Sequence, residues 1–230
     1  MNPPTFVAAR QYFSGQHLSA AALCARNAKI VETSRAGAKE YVPEHRSYVI
    51  GSVLFSVAAL EAAINELFAD ASEANYGKLR PVDEQVIKRM GEMWLLGVPR
   101  TARYTVPEKY AIALALASKG PFDKGAEPWQ SAAKLVKLRN ALIHYEPEWV
   151  PISPTTPGDA HMFERQFAGT FPTNPLAPDE NPFYPDKILG HGCAAWAIRS
   201  AMDFMDAFAG KLGLLAGLYG GRDNPEFAVE

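Results

Sequence analysis

Three polar residues suited to phosphate and proton chemistry lie close together in the segment "KLRNALIHYEPEW", positions 137–149. They are Arg139, Asn140 and His144. An arginine guanidinium offers a planar set of donors that matches phosphate oxygens, and histidine is the residue type that exchanges protons near neutral pH. The segment therefore predicts a site that handles phosphate groups, near the end of a helix and directly before a long proline-rich stretch.

The spacing of the three residues decides which of them can act together. Asn140 and His144 are four positions apart and share one face of a helix. Arg139 and His144 are five positions apart, which places them about 140° apart around a regular helix. The two side chains therefore cannot both point into one narrow site on a single helix. This geometry favours a site completed by a second helix or by a second copy of the chain.

Apolar residues recur at helical spacing along most of the chain, and no pair of alternating β-branched runs predicts a sheet. One long apolar stripe predicts a helix from Pro43 to about position 74. The other predicted helices cover about 19–35, 81–96, 105–119, 128–145 and 185–219, and Thr105 with Glu108 has the spacing of a capping box. The predicted fold is all-α, a bundle of five to six helices.

The segment 146–186 does not fit a compact bundle. It is too long for an ordinary connection and holds nine of the eighteen prolines. It also carries aromatic residues, which disordered linkers usually lack: Phe163, Phe167, Phe171, Phe183 and Tyr184. We interpret it as an ordered insertion within a single domain of residues 1–230. A structural cover and a functional lid both stay open, and the cover is favoured.

Composition limits the classes of function. A net charge of −2 and a pI near 6.2 argue against coating a nucleic acid through bulk charge, although a local basic cleft is compatible with them. Cys24 and Cys193 fit no zinc-binding spacing, and we expect neither a metal nor another cofactor. No secretory signal is recognised, and no apolar stretch is expected to reach the roughly 20 residues that cross a bilayer. The expectation is a cytoplasmic protein with no membrane partner.

The segment "RNALIH" resembles the R-x4–6-H motif of the HEPN domain family (higher eukaryotes and prokaryotes nucleotide-binding). In that family a polar residue, often asparagine, commonly follows the arginine, and the motif lies near the end of a late helix in an all-α bundle. The segment "SVLFSVAALEAAINELF", positions 52–68, is similar to an early family helix. The resemblance covers about 40–145 and extends to the final helix, and the insertion has no counterpart. Arg10 and His17 also match the loose pattern, but they span a predicted turn and lack the asparagine, so we treat that match as chance.

The resemblance implies a metal-independent endoribonuclease of the toxin or phage-defence kind. His144 would exchange a proton with the ribose 2′-hydroxyl or the leaving oxygen. Arg139 would stabilise charge on the phosphate, and Asn140 would orient the histidine or hold the phosphate. Cleavage would leave a 2′,3′-cyclic phosphate and a 5′-hydroxyl, and DNA would be inert. Catalytic members pair two motifs across a dimer, which implies a homodimer with a composite site, an RNA substrate and an antitoxin protein as a possible partner.

Supporting residues surround this motif. Glu61 and Asn65 lie four apart on the long helix, where Glu61 could hold Arg139 or tune His144, although a half-buried glutamate at a packing edge is slightly favoured. Tyr145 directly follows the histidine. Lys134 and Lys137 add positive charge suited to an RNA backbone. A solvated helix face explains the two lysines equally well.

The catalytic candidates also have ordinary structural explanations. A histidine at a helix C-terminus is favoured by the helix dipole, and Arg139 could form a surface ion pair that contributes little. Many HEPN-like domains are thought to bind or scaffold without cutting. The alternative function is therefore a non-catalytic module that binds a nucleotide, an RNA or a protein. A third hypothesis is a helical protein whose insertion docks a partner.

Overall fold

The computed structural model describes residues 9–100, 104–150, 160–215 and 217–229. Within these ranges the chain forms seven α-helices and no β-strand, which confirms the all-α prediction. The helices are α1 (Ser14–Ser34), α2 (Pro43–Ser72), α3 (Glu84–Leu95), α4 (Val106–Leu116), α5 (Trp129–Ile143), α6 (Met162–Phe167) and α7 (His191–Leu212). An irregular helical turn at Phe183–Lys187 and a 3-10 turn at Pro225–Phe227 complete the described structure.

The central element of the bundle is α2, which packs against α1 along its length and also contacts α3, α5 and α7. Its apolar stripe recurs at three and four positions, so one face of the helix is continuously hydrophobic. That face is buried in the common core through Val49, Val53, Val57, Leu60, Ile64 and Leu67. Because α5 and α7 pack on this face, α2 positions the helix that carries Arg139 and His144.

The expectation that no segment is long and apolar enough to cross a bilayer was wrong for α2. By length and composition this helix passes that test, with a mean hydropathy of 1.8 over an 18-residue window. Half of the window is buried inside the bundle. Core helices of globular proteins pass the same test, so composition alone decides nothing about a membrane here.

Short sequence signals set the helix starts. The side chain of Asp83 accepts a hydrogen bond from the Gln85 N–H at 2.8 Å and caps α3. At the start of α4 the predicted capping box forms, because the Thr105 N–H donates to Glu108 Oε2 at 2.7 Å. The hydrogen bonds that Glu108 accepts from the N–H and the hydroxyl of Thr105 favour its ionised carboxylate and lower its pKa.

The final helix is shorter than predicted. Spacing predicted a helix over about 185–219, whereas α7 covers His191–Leu212. Gly213 adopts a φ of 84°, a left-handed conformation that glycine tolerates and that ends helices. The apolar spacing continues past Gly213, so the pattern by itself did not locate the end.

Residues 160–186 of the insertion lie on the bundle through aromatic side chains. Phe163, Phe167 and Tyr184 are at most 2% exposed. The ring of Phe167 stands edge-on to Trp196 of α7, with 5.2 Å between the ring centroids. This segment therefore contributes to the hydrophobic core, and a role as a lid stays a hypothesis. Residues 151–159 of the insertion lie outside the described residues.

Glycine allows the insertion to approach α7 closely. A Cβ atom at Gly192, in the first turn of α7, would lie only 2.4 Å from the carbonyl oxygen of Pro172. A larger residue would push the insertion backbone away from the helix. This contact explains why a glycine occupies position 192.

Candidate functional site

The motif is carried by α5, which begins directly after Pro128 and is anchored by its buried side. Ala132, Leu135, Val136 and Leu138 are buried against the bundle. The helix contacts α2, α4 and α7. Its last residue is Ile143, and Pro147 follows within four positions, where proline disfavours helical geometry in the residue before it. The candidate residues therefore occupy the final turn of a firmly packed helix.

Arg139 lies on the flank of α5 between core and solvent. It follows Ala132 by seven positions and Leu135 by four, so its aliphatic stem is on the buried side of the helix. Its Nε atom is buried and has no hydrogen-bond partner among the residues that the structure describes. No described residue forms an ion pair with its guanidinium. A buried donor of a charged group without a partner costs roughly 1–3 kcal/mol or more, so this arginine is an energetic exception in the bundle.

Asn140 and His144 point toward solvent. His144 caps α5 through its backbone N–H, which donates to the Asn140 carbonyl oxygen at 2.8 Å. Both side chains are exposed, and neither is hydrogen-bonded to a described residue. The side chains therefore point in the directions predicted from their spacing. Asn140 and His144 point outward, and Arg139 lies at the half-buried flank of the helix. Within the described residues this face is open, so one chain supplies donors and an imidazole but no facing wall.

Large apolar side chains continue the exposed surface after the motif. Ile143 and the supporting candidate Tyr145 are each 50% exposed, and Trp149 is completely exposed. Exposed aromatic side chains of this size are costly to leave in water and often mark a binding surface. The turn after α5 therefore joins a polar site to an apolar one.

The structure pairs Glu61 with a partner that the sequence did not suggest. Its Oε1 atom accepts a hydrogen bond from Nζ of Lys109 on α4 at 2.7 Å. Lys109 is only 2% exposed, so this ion pair compensates a buried charge. Asn65, one turn further along α2, has a buried Oδ1 atom without a partner. No hydrogen bond or ion pair within the described part of the chain joins either residue to Arg139 or His144, and their supporting roles stay predictions.

Lys134 and Lys137 line one shallow groove of about 330 Å³ beside α5. The groove also contains Lys124 from the preceding loop and Gln166 from α6. Sequence analysis missed these two residues. A lysine shortly before Pro128 was a visible signal for the first, whereas nothing local to α6 indicates that Gln166 faces α5.

The other match to the loose motif has a structural role. Arg10 forms ion pairs with Asp70, at 2.8 Å, and with Glu73. The ring of His17 is adjacent to those of Phe13 and Phe55, with centroid separations of 6.0 Å and 6.1 Å. These contacts account for both residues without any chemistry.

A larger cleft, of about 640 Å³, is formed by other elements than α5. It lies between the start of α1 and the C-terminal loop. The start of α1 already holds a carboxylate, since Glu66 accepts hydrogen bonds from the backbone N–H groups of Phe13 and Ser14. The described residues contain no cluster of three or more metal-ligating side chains. Comparison of the chain with models of known families, with characterised proteins and with solved structures finds no match.

Proposed function

We propose that the chain is a HEPN-like helical bundle that cleaves RNA without a metal ion, with His144, Arg139 and Asn140 as its catalytic residues. The observation that carries the proposal is the buried Nε atom of Arg139, which has no partner among the described residues and lies five positions before the exposed His144. Folded proteins satisfy nearly all buried polar groups, and exceptions are typical of functional sites. A phosphate bound at the outer nitrogens of the partly exposed Arg139 guanidinium would supply a counter-charge for this side chain.

The proposed chemistry is proton transfer coupled to attack within the RNA. The imidazole of His144 takes the proton from a ribose 2′-hydroxyl, and the oxygen attacks the adjacent phosphorus. The bond to the 5′-oxygen breaks, and that oxygen receives a proton from an imidazolium. Arg139 stabilises the negative charge that builds on the phosphate oxygens. Asn140, on the face of His144, orients the ring or the phosphate.

A second copy of the chain is part of this proposal. The motif face of one chain is open, so a homodimer that brings two α5 ends together would supply the facing wall and the second imidazole. Such an enzyme would act as a toxin or in phage defence in the cytoplasm, and an antitoxin protein would be a fitting partner. Burial of Ile143, Tyr145 and Trp149 at the contact would remove exposed apolar surface from water.

The proposal is tested with purified protein and RNA in the presence of EDTA. We expect products that end in a 2′,3′-cyclic phosphate and a 5′-hydroxyl, and no cleavage of DNA of the same sequence. His144→Ala should abolish the cleavage. Equal cleavage by this variant and the unmodified protein would indicate a contaminant and would remove the assignment.

A non-catalytic binding module is the second candidate, and the exposed apolar turn after α5 favours it. Trp149 is fully exposed and has no partner ring among the described residues. Such a module would bind RNA or protein. The His144→Ala variant should bind with the same affinity as the unmodified protein, whereas the Trp149→Ser variant should bind more weakly. Binding without cleavage over the full range of tested RNAs would decide for this candidate.

A further inference from the structure

The groove beside α5 collects three lysines from two segments of the chain. Lys134 and Lys137 are one turn apart on the helix, and Lys124 belongs to the loop before it. The remaining lining residues are Trp129, Gln130, Ala133 and Gln166. Among the described residues, no acidic side chain lines the groove. In a chain with a net charge of −2, this is a local concentration of positive charge.

None of the three lysines forms an ion pair with a described residue. Lys124 approaches the face of Trp129, with 5.7 Å from Nζ to the ring centroid, and lies close enough to Glu108 to attract its carboxylate. The acidic neighbours of Lys124 in the sequence are engaged elsewhere. Asp123 accepts the Gly125 N–H at 2.7 Å, and Glu127 accepts the Ser131 N–H at 3.1 Å. The groove is therefore suited to an anionic ligand.

A fourth polar group lines the groove. Gln166 reaches it from the insertion, and its buried Oε1 atom has no hydrogen-bond partner among the described residues. A side-chain amide presents both donors and an acceptor, and the two ends are assigned from their hydrogen bonds. An occupant with donors and acceptors would satisfy this amide, as the ribose-phosphate backbone of RNA does.

The groove and His144 lie on one side of α5. Gln130, Lys137 and His144 are spaced by seven residues, which keeps them within about 40° of one another around a regular helix. Along the axis, Lys137 is about 10 Å and Lys134 about 15 Å from His144. At about 3.4 Å per stacked nucleotide, these lengths correspond to three and four nucleotides.

We propose that the lysine groove, formed by Lys124, Lys134, Lys137 and Gln166, binds the backbone of a single RNA strand three to four nucleotides from the bond cleaved at His144. The inference rests on the proposed function for the position of that bond. A single strand is required because the 2′-hydroxyl must swing into line with the leaving oxygen, which a regular duplex prevents. The groove thus gives affinity without reading bases.

Binding is tested separately from cleavage with a labelled DNA strand of about 12 nucleotides, which offers the same phosphates and no 2′-hydroxyl. The triple variant Lys124→Gln, Lys134→Gln, Lys137→Gln is compared by fluorescence anisotropy with the control Lys29→Gln, Lys88→Gln, Arg89→Gln. The control removes three exposed cations from α1 and α3, neither of which packs against α5. If the triple variant misfolds, the single variant Lys137→Gln replaces it in the comparison, because Lys137 is exposed.

We expect the groove variant to bind at least about 10-fold more weakly at low salt, and its plot of log affinity against log salt to be flatter by about 2, since each single-strand phosphate contact contributes about 0.7. The control should bind like the unmodified protein. Cleavage of RNA of the same length should fall with the binding, whereas a dinucleotide, which cannot reach the groove, should be cut equally.

The outcomes separate this proposal from the proposed function. Equal affinity and equal salt dependence of both triple variants would overturn the groove, even if cleavage that depends on His144 is observed. Weaker binding by the groove variant in a protein that never cleaves RNA would keep the groove and remove the nuclease. A competition experiment adds inorganic phosphate at a concentration that carries as much charge as the DNA strand. Displacement of the strand from the protein under this condition would identify a site for free phosphate and overturn the strand proposal.

Discussion

Two arginine–histidine pairs in this bundle fit the same loose R-x4–6-H pattern, and their surroundings are opposite. Arg10 is bound by Asp70 and Glu73, and the His17 ring is adjacent to two aromatic rings. Arg139 has a buried Nε atom with no partner in the described part of the chain, and His144 is exposed. The same loose pattern is thus satisfied by stabilising contacts at one place and left open at the other.

The difference shows why the loose motif carries little information without its environment. Residues whose donors are already paired contribute to stability and are not free to bind a phosphate. An unpaired donor contributes nothing to folding, since its desolvation is not compensated. The first pair should therefore affect stability and the second activity, and this contrast is open to direct measurement.

The largest expected effect is on the histidines. His144→Ala should lower the rate of RNA cleavage by about 100-fold or more, the range for loss of a general acid–base group. His17→Phe keeps a ring adjacent to Phe13 and Phe55 and should leave the rate unchanged. Single-turnover cleavage assays measure both. Similar losses in the two variants would erase the contrast between the pairs.

A comparable loss is expected for Arg139. Arg139→Gln should reduce the rate about 100-fold through loss of charge stabilisation on the phosphate. Because the buried Nε atom has no partner, the free energy of unfolding should stay the same or rise by up to about 1 kcal/mol. Chemical denaturation measures this free energy. A marked drop in stability would mean that Arg139 is a structural residue like Arg10.

The converse is expected for Arg10. Arg10→Gln leaves Asp70, which is 3% exposed, without its cation and should lower the free energy of unfolding by about 1–2 kcal/mol. The contact with the exposed Glu73 should add little. RNA cleavage by the folded variant should match the unmodified protein. Reduced cleavage at full stability would bring the first pair into the function.

The smallest expected effect is a change of stability at alkaline pH that comes from Tyr12, which shares Asp70 with Arg10. Burial, and then the hydrogen bond to Asp70 at 3.0 Å, raise the pKa of Tyr12 above its ordinary value of 10.0. Since the protonated hydroxyl is favoured in the folded chain, its contribution is complete below pH 10 and is lost as the pH rises through the raised pKa. The stability difference between the unmodified protein and Tyr12→Phe should shrink across this window in thermal unfolding followed by circular dichroism. A constant difference would show that the hydroxyl does not titrate in this way.

Local patterns gave correct predictions where the deciding interactions are local. The stripe of α2 and the capping box at Thr105 and Glu108 depend on residues within one helical turn, and both are present. The end of α7 was predicted wrongly because the apolar spacing continues past the left-handed Gly213. Partner choice was also beyond the sequence, since Glu61 meets Lys109 from α4.

By itself, the sequence determined the helical class. It also determined that Asn140 and His144 lie on one side of their helix and Arg139 on the flank, because helix geometry fixes the angle between near neighbours. The tertiary structure alone decided which charges are paired and which are left free. It bound Arg10, left Arg139 without a partner, and brought Gln166 to the lysines of α5. Those outcomes depend on how helices distant in sequence pack on α2, since long-range packing sets both the desolvation of a charge and the groups within reach of it.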